Sequence, residues 1–277
     1  MGRIICIANQ KGGVGKTTTA VNLSAALALA GQPTLLIDLD PQASATSGVG
    51  MRVGEDQATS YEVLLGEQTV AAAIVPTKVD HLFVLPATRD LIGAEIELVP
   101  MIAREHRLAE ATRSLRSSYS FVVIDCPPSL GLLTINGLAA ADSVLVPMQC
   151  EYYALEGLSA LMETVELIHK RLNPGLAIEG LLLTMFDTRN SLSHQVAEEV
   201  RQHFPDRVFE SIVPRNVRLS EAPSHGVPAV IYDPSSKGAE AYIGLARELL
   251  RKYDLPVGEG SSTTEPFVES TSEVGGE

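Results

Sequence analysis

Lys11-Gly12-Gly13-Val14-Gly15-Lys16-Thr17-Thr18 brings together the residue types that hold a chain of phosphates. Glycines let backbone N–H groups turn inward around phosphate oxygens, a lysine reaches the outer phosphates, and a threonine hydroxyl can ligate Mg²⁺. The usual pattern of this kind places its first glycine at position 10, which here is Gln10. A second lysine, Lys11, opens the loop instead. A glycine-rich turn carrying two solvated lysines is the bland alternative. It loses because the flanking sequence supplies the context that phosphate chemistry requires.

That context is a strand before the loop and a helix after it. Arg3-Ile4-Ile5-Cys6-Ile7-Ala8 is a short apolar run that reads as a buried strand. Thr17 to Ala30 is rich in Ala and Leu and is closed by Gly31-Gln32-Pro33, a helix stop. The N-terminus of that helix adds a positive dipole end to the loop.

Two later strands end in acids. Pro33 to Gln42 holds Leu35-Leu36-Ile37 and then Asp38 and Asp40; Ser120 to Asp125 is apolar and closes on Asp125, followed by Cys126-Pro127-Pro128-Ser129. In a parallel sheet, carboxylates at strand C-termini lie beside the phosphate loop. Asp125 as a mere turn residue would be a fair reading in isolation. With the loop upstream, a role in holding a metal is the better one.

Further strands are expected at Leu82–Ala87, Ser143–Pro147, Glu179–Met185 and Val208–Val213. Helices are expected at Ser60–Gly66, Ile102–Arg116, from Glu151 to about Leu172, Ser193–Phe204 and Gly238–Tyr253. Ala43 to Gln57 reads as a loop able to move, and Pro214 to Pro223 as a polar loop or the start of a short helix. Strand and helix alternate, which implies an α/β fold: a mainly parallel β-sheet with helices on both faces.

The chain has 277 residues, 45% hydrophobic and 20% charged, which suits one large domain. No apolar run reaches the ~18 residues of a membrane-spanning helix, and the first strand leaves no room for a signal peptide, so a cytoplasmic protein is expected. Cys6, Cys126 and Cys150 have no metal-like spacing and read as small buried residues. The net charge of −13 argues against simple nucleic-acid binding. Six acids and no Lys or Arg follow from Asp254 onward, so residues 1–253 carry only −7. A local basic face is therefore compatible with the composition. Residues 1–253 read as one globular domain and 254–277 as an acidic disordered tail.

The loop with its extra lysine resembles the deviant Walker A motif of the ParA/MinD superfamily of dimerising ATPases. Ile37-Asp38-Leu39-Asp40-Pro41-Gln42, Val123-Ile124-Asp125-Cys126-Pro127-Pro128, Glu151 to Gly157, and Val213 to Pro223 follow in the order of the ParA/Soj family. The resemblance covers roughly residues 3 to 253 and implies a P-loop ATPase using ATP and Mg²⁺. It implies that Lys16 and the loop from Gly12 through Val14, Gly15 and Thr18 hold the triphosphate. Thr17 would bind Mg²⁺, Asp125 would hold it through water, and Asp40 would polarise the attacking water. Lys11 would cross to the phosphates of a second subunit in an ATP-dependent homodimer. Met185, Pro214 and Asn216 would meet the adenine.

It further implies non-specific DNA binding through Arg189 and Arg218, with Lys237, Arg247 and Arg251 as further candidates, a ParB/Spo0J-type partner that stimulates hydrolysis, and a place on the nucleoid. Each lone arginine is otherwise an ordinary solvated charge. A MinD-like membrane regulator is the competing reading, but it needs a basic amphipathic C-terminal helix, and this C-terminus is acidic. A relative of the nitrogenase iron protein would need cysteines placed to bridge a cluster between subunits.

Overall fold

The computed structural model describes residues 2–151 and 154–256. Seven strands form one sheet: β1 (Arg3–Ile7), β2 (Thr34–Asp38), β3 (Val75–Pro76), β4 (Leu82–Leu85), β5 (Phe121–Asp125), β6 (Ser143–Gln149) and β7 (Ala177–Thr184). Their order is β3-β4-β2-β5-β1-β6-β7. All neighbours run parallel except the two-residue edge strand β3. The expected fold class is therefore the one found.

The strands alternate their side chains between two apolar layers, as the period of two demands. Ile5, Ile7, Leu36, Val123 and Leu182 pack on one face with α1 (Lys16–Leu29) and the C-terminal helix over Lys237–Lys252. Ile4, Cys6, Ile37, Ile124 and Leu183 pack on the other, beneath helices that include Leu132–Ala140 and Ala154–Arg171. Burial on both faces explains why these strands read as unbroken apolar runs rather than alternating ones. β1 lies between β5 and β6, so the loop after β1 opens at the centre of the sheet's C-terminal edge, next to the end of β5.

Three expectations are corrected. Ala43–Gln57 is not a free loop, because Ser44–Gly48 is helical. Thr46 there donates through its backbone N–H and hydroxyl to Asp38 Oδ2 at 2.8 and 2.7 Å, and its Oγ1 accepts from the Ala87 amide at 2.9 Å. The single helix expected over Ile102–Arg116 is broken into a 3₁₀ turn (Arg104–His106), a helix (Arg107–Thr112) and a second 3₁₀ segment (Arg113–Ser117). Asn136 from the neighbouring helix intervenes: it accepts from the Leu108 amide at 3.1 Å and donates to the Arg104 carbonyl at 2.8 Å.

Val208–Val213 forms no continuous strand beside β7: Val208 makes an isolated bridge to Leu181, and the Val213 amide donates to the Leu183 carbonyl at 2.9 Å. The Glu210 and Ser211 amides, which could have extended a ladder, donate instead to the Glu248 carboxylate at 2.9 and 2.7 Å. A side chain thus blunts that sheet edge. Of the expected acidic tail, residues 257–277 lie outside the described residues, as do Tyr152 and Tyr153 of the Glu151–Gly157 segment.

Candidate active site

The loop between β1 and α1 is bent by two glycines in the left-handed region, Gly13 (φ 74°) and Gly15 (φ 88°). Any other residue would be strained at either position. The loop is also tied from outside. Thr184, the last residue of β7, donates from Oγ1 to the Val14 carbonyl at 2.8 Å, and Val14 itself is buried. Asn9 bridges the other end, donating to the Pro147 carbonyl at 2.7 Å and accepting from the Lys11 amide at 3.0 Å.

Lys16 starts α1 and folds back across the loop, where its Nζ donates to the Lys11 carbonyl at 3.1 Å. It is 6% exposed. Burial lowers the pKa of its ammonium, and the carboxylates of Asp125 and Asp40 oppose that shift. Lys11 points away, into an ion pair with Glu151 at 2.5 Å, with both side chains almost half exposed.

The carboxylates are held very differently from one another. Asp38 and Asp125 are register partners at the ends of β2 and β5, and both are fully buried. Asp38 accepts from Thr46 and from the Asp40 amide (3.0 Å). Burial raises its pKa to about 6 against those hydrogen bonds. Asp125 has no hydrogen-bond partner on either carboxylate oxygen among the described residues. Burial, then the Asp38 charge, push its pKa well above the ordinary value, while the nearby Thr17 hydroxyl and Lys16 ammonium oppose the shift. Asp40 sits just beyond β2, its Oδ1 accepting from the Gln42 amide at 2.9 Å.

Two adjoining cavities lie against the loop; Lys16, Thr17 and Asp40 reach the first, whereas Lys11, Asp38 and Asp125 line neither. One, of about 280 Å³, is walled by Gly12, Gly13, Lys16, Thr17, Asp40 and Pro128. The second, of about 340 Å³, is walled by Met185, Val213, Pro214, Asn216, Leu219 and Tyr242. Gly15, Thr18 and Met185 belong to both. The first has the glycines, cation and hydroxyl for a phosphate chain; the second has the apolar walls for a base. Met185 takes φ 48° between them, a conformation costing a non-glycine residue about 1 kcal/mol or more.

The residues around Asp125 fit a hydrated magnesium ion. A buried carboxylate with two orphan oxygens is costly unless something arrives to satisfy it. Among the described residues no group of three or more His, Cys, Asp or Glu side chains forms a protein-only cage. That suits Mg²⁺, which keeps its waters and is bound by one or two carboxylates together with substrate phosphates.

Three of the five candidate DNA contacts are paired with acids. Arg218 is held by Glu221 at 2.8 Å and by Asp233 at 3.1 Å, and Arg189 pairs with Asp187. Arg251 lies 3.7 Å from Glu210. Lys237 and Arg247 are exposed and have no ion pair among the described residues. Sequence reasoning missed the roles of Asn9, Thr184 and Tyr242, and the pairing of Lys11 with Glu151. Asn9, two residues before Lys11, was the one with a local signal, since Asn side chains bond amides two residues on. No helix of the described residues is long and apolar enough to cross a membrane.

The chain matches the family model described as an AAA domain over residues 2–178. It is 58% identical to the chromosome partitioning protein ParA of Myxococcus xanthus over 256 residues, 92% of this chain and 90% of that one. It is 57% identical to the sporulation initiation inhibitor protein Soj of Bacillus subtilis over 249 residues, 90% of this chain and 98% of that one. Among solved structures, cobyrinic acid a,c-diamide synthase from Mycobacterium smegmatis with bound ADP and magnesium superposes with a TM-score of 0.80. It is 37% identical and covers 97% of this chain and 100% of that chain.

Proposed function

The chain belongs to the ParA/Soj family of chromosome-partitioning ATPases, and from that premise we propose that it is a nucleotide-gated DNA-binding switch. Residues 1–253 act as one ATPase domain. ATP with Mg²⁺ closes a homodimer, the dimer binds DNA without sequence preference, and a ParB-type partner stimulates hydrolysis and release on the nucleoid. The observation that carries the nucleotide half of this reading is Asp125, buried beside Lys16 and Thr17 and without a hydrogen-bond partner among the described residues.

Within one subunit the division of labour follows from position. The amides of Gly12 to Thr18 and the Lys16 ammonium hold the phosphates, and the second cavity takes the adenine against Met185, Pro214 and Asn216. Thr17 and Asp125, the latter through water, would hold Mg²⁺, whose chemistry is to neutralise charge growing on the phosphate oxygens. Asp40 lines the phosphate cavity and keeps one oxygen, Oδ2, outside its bond to Gln42. That oxygen orients the attacking water. Lys11, on the surface of its own subunit, supplies a cation to a partner's phosphates in the manner of an arginine finger.

The DNA half rests on Arg218, Arg189, Lys237 and Arg247. Sizing chromatography with ATP, run beside DNA titrations at several salt concentrations, tests it. Arg218→Ala should still dimerise with ATP but bind DNA more weakly, with the salt slope falling by about one for each phosphate no longer neutralised. An unchanged slope would move the DNA face to Lys237 and Arg247. ATP-independent binding to DNA would overturn the switch.

A further inference from the structure

A third cavity lies at the opposite end of the sheet from the nucleotide. Its volume is about 650 Å³, and it is an open groove at the N-terminal ends of β1, β2 and β5. Pro33, Tyr119, Tyr253 and Leu255 give it apolar walls, and Arg3 and Arg116 give it positive charge. Arg3 is exposed, with its guanidinium 4.5 Å from the centre of the Tyr253 ring. Arg116 donates to the Gly2 carbonyl and to Asp142 through one nitrogen, leaving other donors of its fork for a further acceptor. Asp142 beside Arg116 and the exposed Asp254 are the nearby carboxylates. The Tyr253 hydroxyl is turned inward, donating to Glu179 at 2.6 Å.

The described chain ends at this groove. Leu255 is part of its wall, and the Pro256 carbonyl accepts from Gln32 Nε2 at 3.0 Å. The segment 257–277 that continues from there holds Glu259, Glu265, Glu269, Glu273 and Glu277, no Lys or Arg, and a single aromatic residue, Phe267. Phe267 stands in Glu265-Pro266-Phe267-Val268-Glu269. Glu265, Phe267 and Glu269 alternate along the sequence as acid, aromatic and acid, and residues two apart share a face, about 7 Å between neighbours, wherever a chain is extended. The groove offers the complement: apolar walls and two guanidinium groups. Ten residues lie between Pro256 and Phe267; a Gly/Ser-rich linker of that length spans about 17 Å, which sets a local concentration in the millimolar range.

We propose that this groove is the docking site, within one chain, for the acidic segment, with Phe267 against Tyr119, Tyr253 and Leu255 and with Glu265 and Glu269 on Arg3 and Arg116. Docking there holds the segment's negative charge away from the nucleotide end and covers the exposed Arg3. The docking is independent of the ATPase chemistry, because none of these residues lines the nucleotide cavities.

The full chain carrying a photoreactive benzoylphenylalanine in place of Phe267 tests it directly. Irradiation should join position 267 to peptides containing Tyr119 or Tyr253 of the same chain, and 0.5 M salt should reduce the yield several-fold. Capture between two chains, capture at the nucleotide end, or no capture at all would overturn the proposal. Hydrogen exchange of the unmodified full chain provides a second measurement. Amides of residues 117–120 should exchange several-fold more slowly than in a Phe267→Ala, Glu265→Gln, Glu269→Gln triple variant. Equal rates would overturn the proposal, and equal ATP turnover of the two chains would confirm that the fold is shared.

Discussion

Lys16 and Lys11 stand at the two ends of one short loop and are held in opposite ways. Lys16 is buried, bonded to the loop's own backbone, and flanked by the carboxylates of Asp125 and Asp40. Lys11 lies on the surface in an exposed pair with Glu151. A buried ammonium is fixed where it sits, because moving it would strand both it and the carboxylates around it. An exposed pair is worth only ~0–1 kcal/mol, so its lysine can be redirected at little cost. The contrast is the one that the proposed function needs, with Lys16 serving the phosphates of its own subunit and Lys11 those of another.

The most damaging substitution on either side of this contrast is Lys16→Ala. Among the described residues, no other side chain lining the phosphate cavity carries a positive charge. Turnover should fall by at least ~100-fold, the usual loss when one preorganised donor to developing charge is removed. Fluorescent nucleotide titration should show weakened binding as well, because Lys16 holds the ground state too. Wild-type affinity in that variant would mean that the lysine's burial is structural.

Asp40→Ala comes next and should separate binding from chemistry. Its carboxylate reaches the same cavity but is tied only to the Gln42 amide. Nucleotide binding should persist and ATP-bound dimer accumulate, while phosphate release falls ~10²- to 10⁴-fold, the range for loss of a positioned base. Turnover at the wild-type rate with DNA and partner present would remove Asp40 from the mechanism.

Lys11→Ala should leave the subunit's own nucleotide affinity nearly intact and abolish dimerisation by ATP, with DNA binding disappearing as a consequence. Linked contacts on a dimer gain from high effective concentration, and a monomer forfeits that gain. Sizing chromatography with and without ATP decides it. A variant that still dimerises would refute the assignment of Lys11 to the second subunit.

The Lys16 end of the loop is far more legible in the sequence than the Lys11 end. Strand, glycines, Lys16-Thr17 and helix are contiguous, so local pattern is enough to place them. Asp40 and Asp125 are legible because apolar runs ending in Asp can only put the acid at the strand's C-terminal edge. The sheet follows the sequence pattern except where side chains intercept the backbone. Glu248 takes the amides that would have made Val208–Val213 a strand, and Asn136 breaks the helix over Ile102–Arg116. Such contacts join residues far apart in the chain and leave no periodic trace. The same holds for Thr184 on Val14 and for Glu151 on Lys11, separated by 170 and 140 residues.

Asp38 gives a smaller effect, in the electrostatics beneath Lys16. Its folded-state pKa of about 6 lies above the ordinary carboxylate value of 3.8. The folded protein therefore binds the proton more readily than the unfolded chain between about pH 4 and 6, and this contribution to stability falls as pH rises through that window. Asp125 is shifted in the same direction. Thermal melts of the nucleotide-free protein should show a shallower loss of Tm from pH 4.5 to 6.5 in Asp38→Asn than in the wild type. The slope should not vanish, because Asp125 remains. A steeper slope in the variant would show that the hydrogen bonds from Thr46 and Asp40 outweigh burial.

The smallest effect tests the parking of Lys11 itself. Glu151→Gln removes the charge that holds the lysine in its own subunit and leaves the side chain's size unchanged. Both partners are almost half exposed, so no more than ~1 kcal/mol per pair is at stake, and a homodimer that releases two such pairs stands to gain up to ~2 kcal/mol, equivalent to about a thirty-fold change in the equilibrium constant. If releasing Lys11 is part of the cost of closing the dimer, the protein concentration at half-dimerisation with ATP should drop by up to that factor. The gap between variant and wild type should narrow in 0.5 M salt, where the pair is already screened. A rise in the midpoint would give Glu151 the reverse role: a contact that the dimer keeps, with Lys11 and Glu151 crossing to the partner as a pair. An unchanged midpoint at low salt would mean that the ion pair contributes nothing to the equilibrium, and that Lys11 moves because the triphosphate draws it.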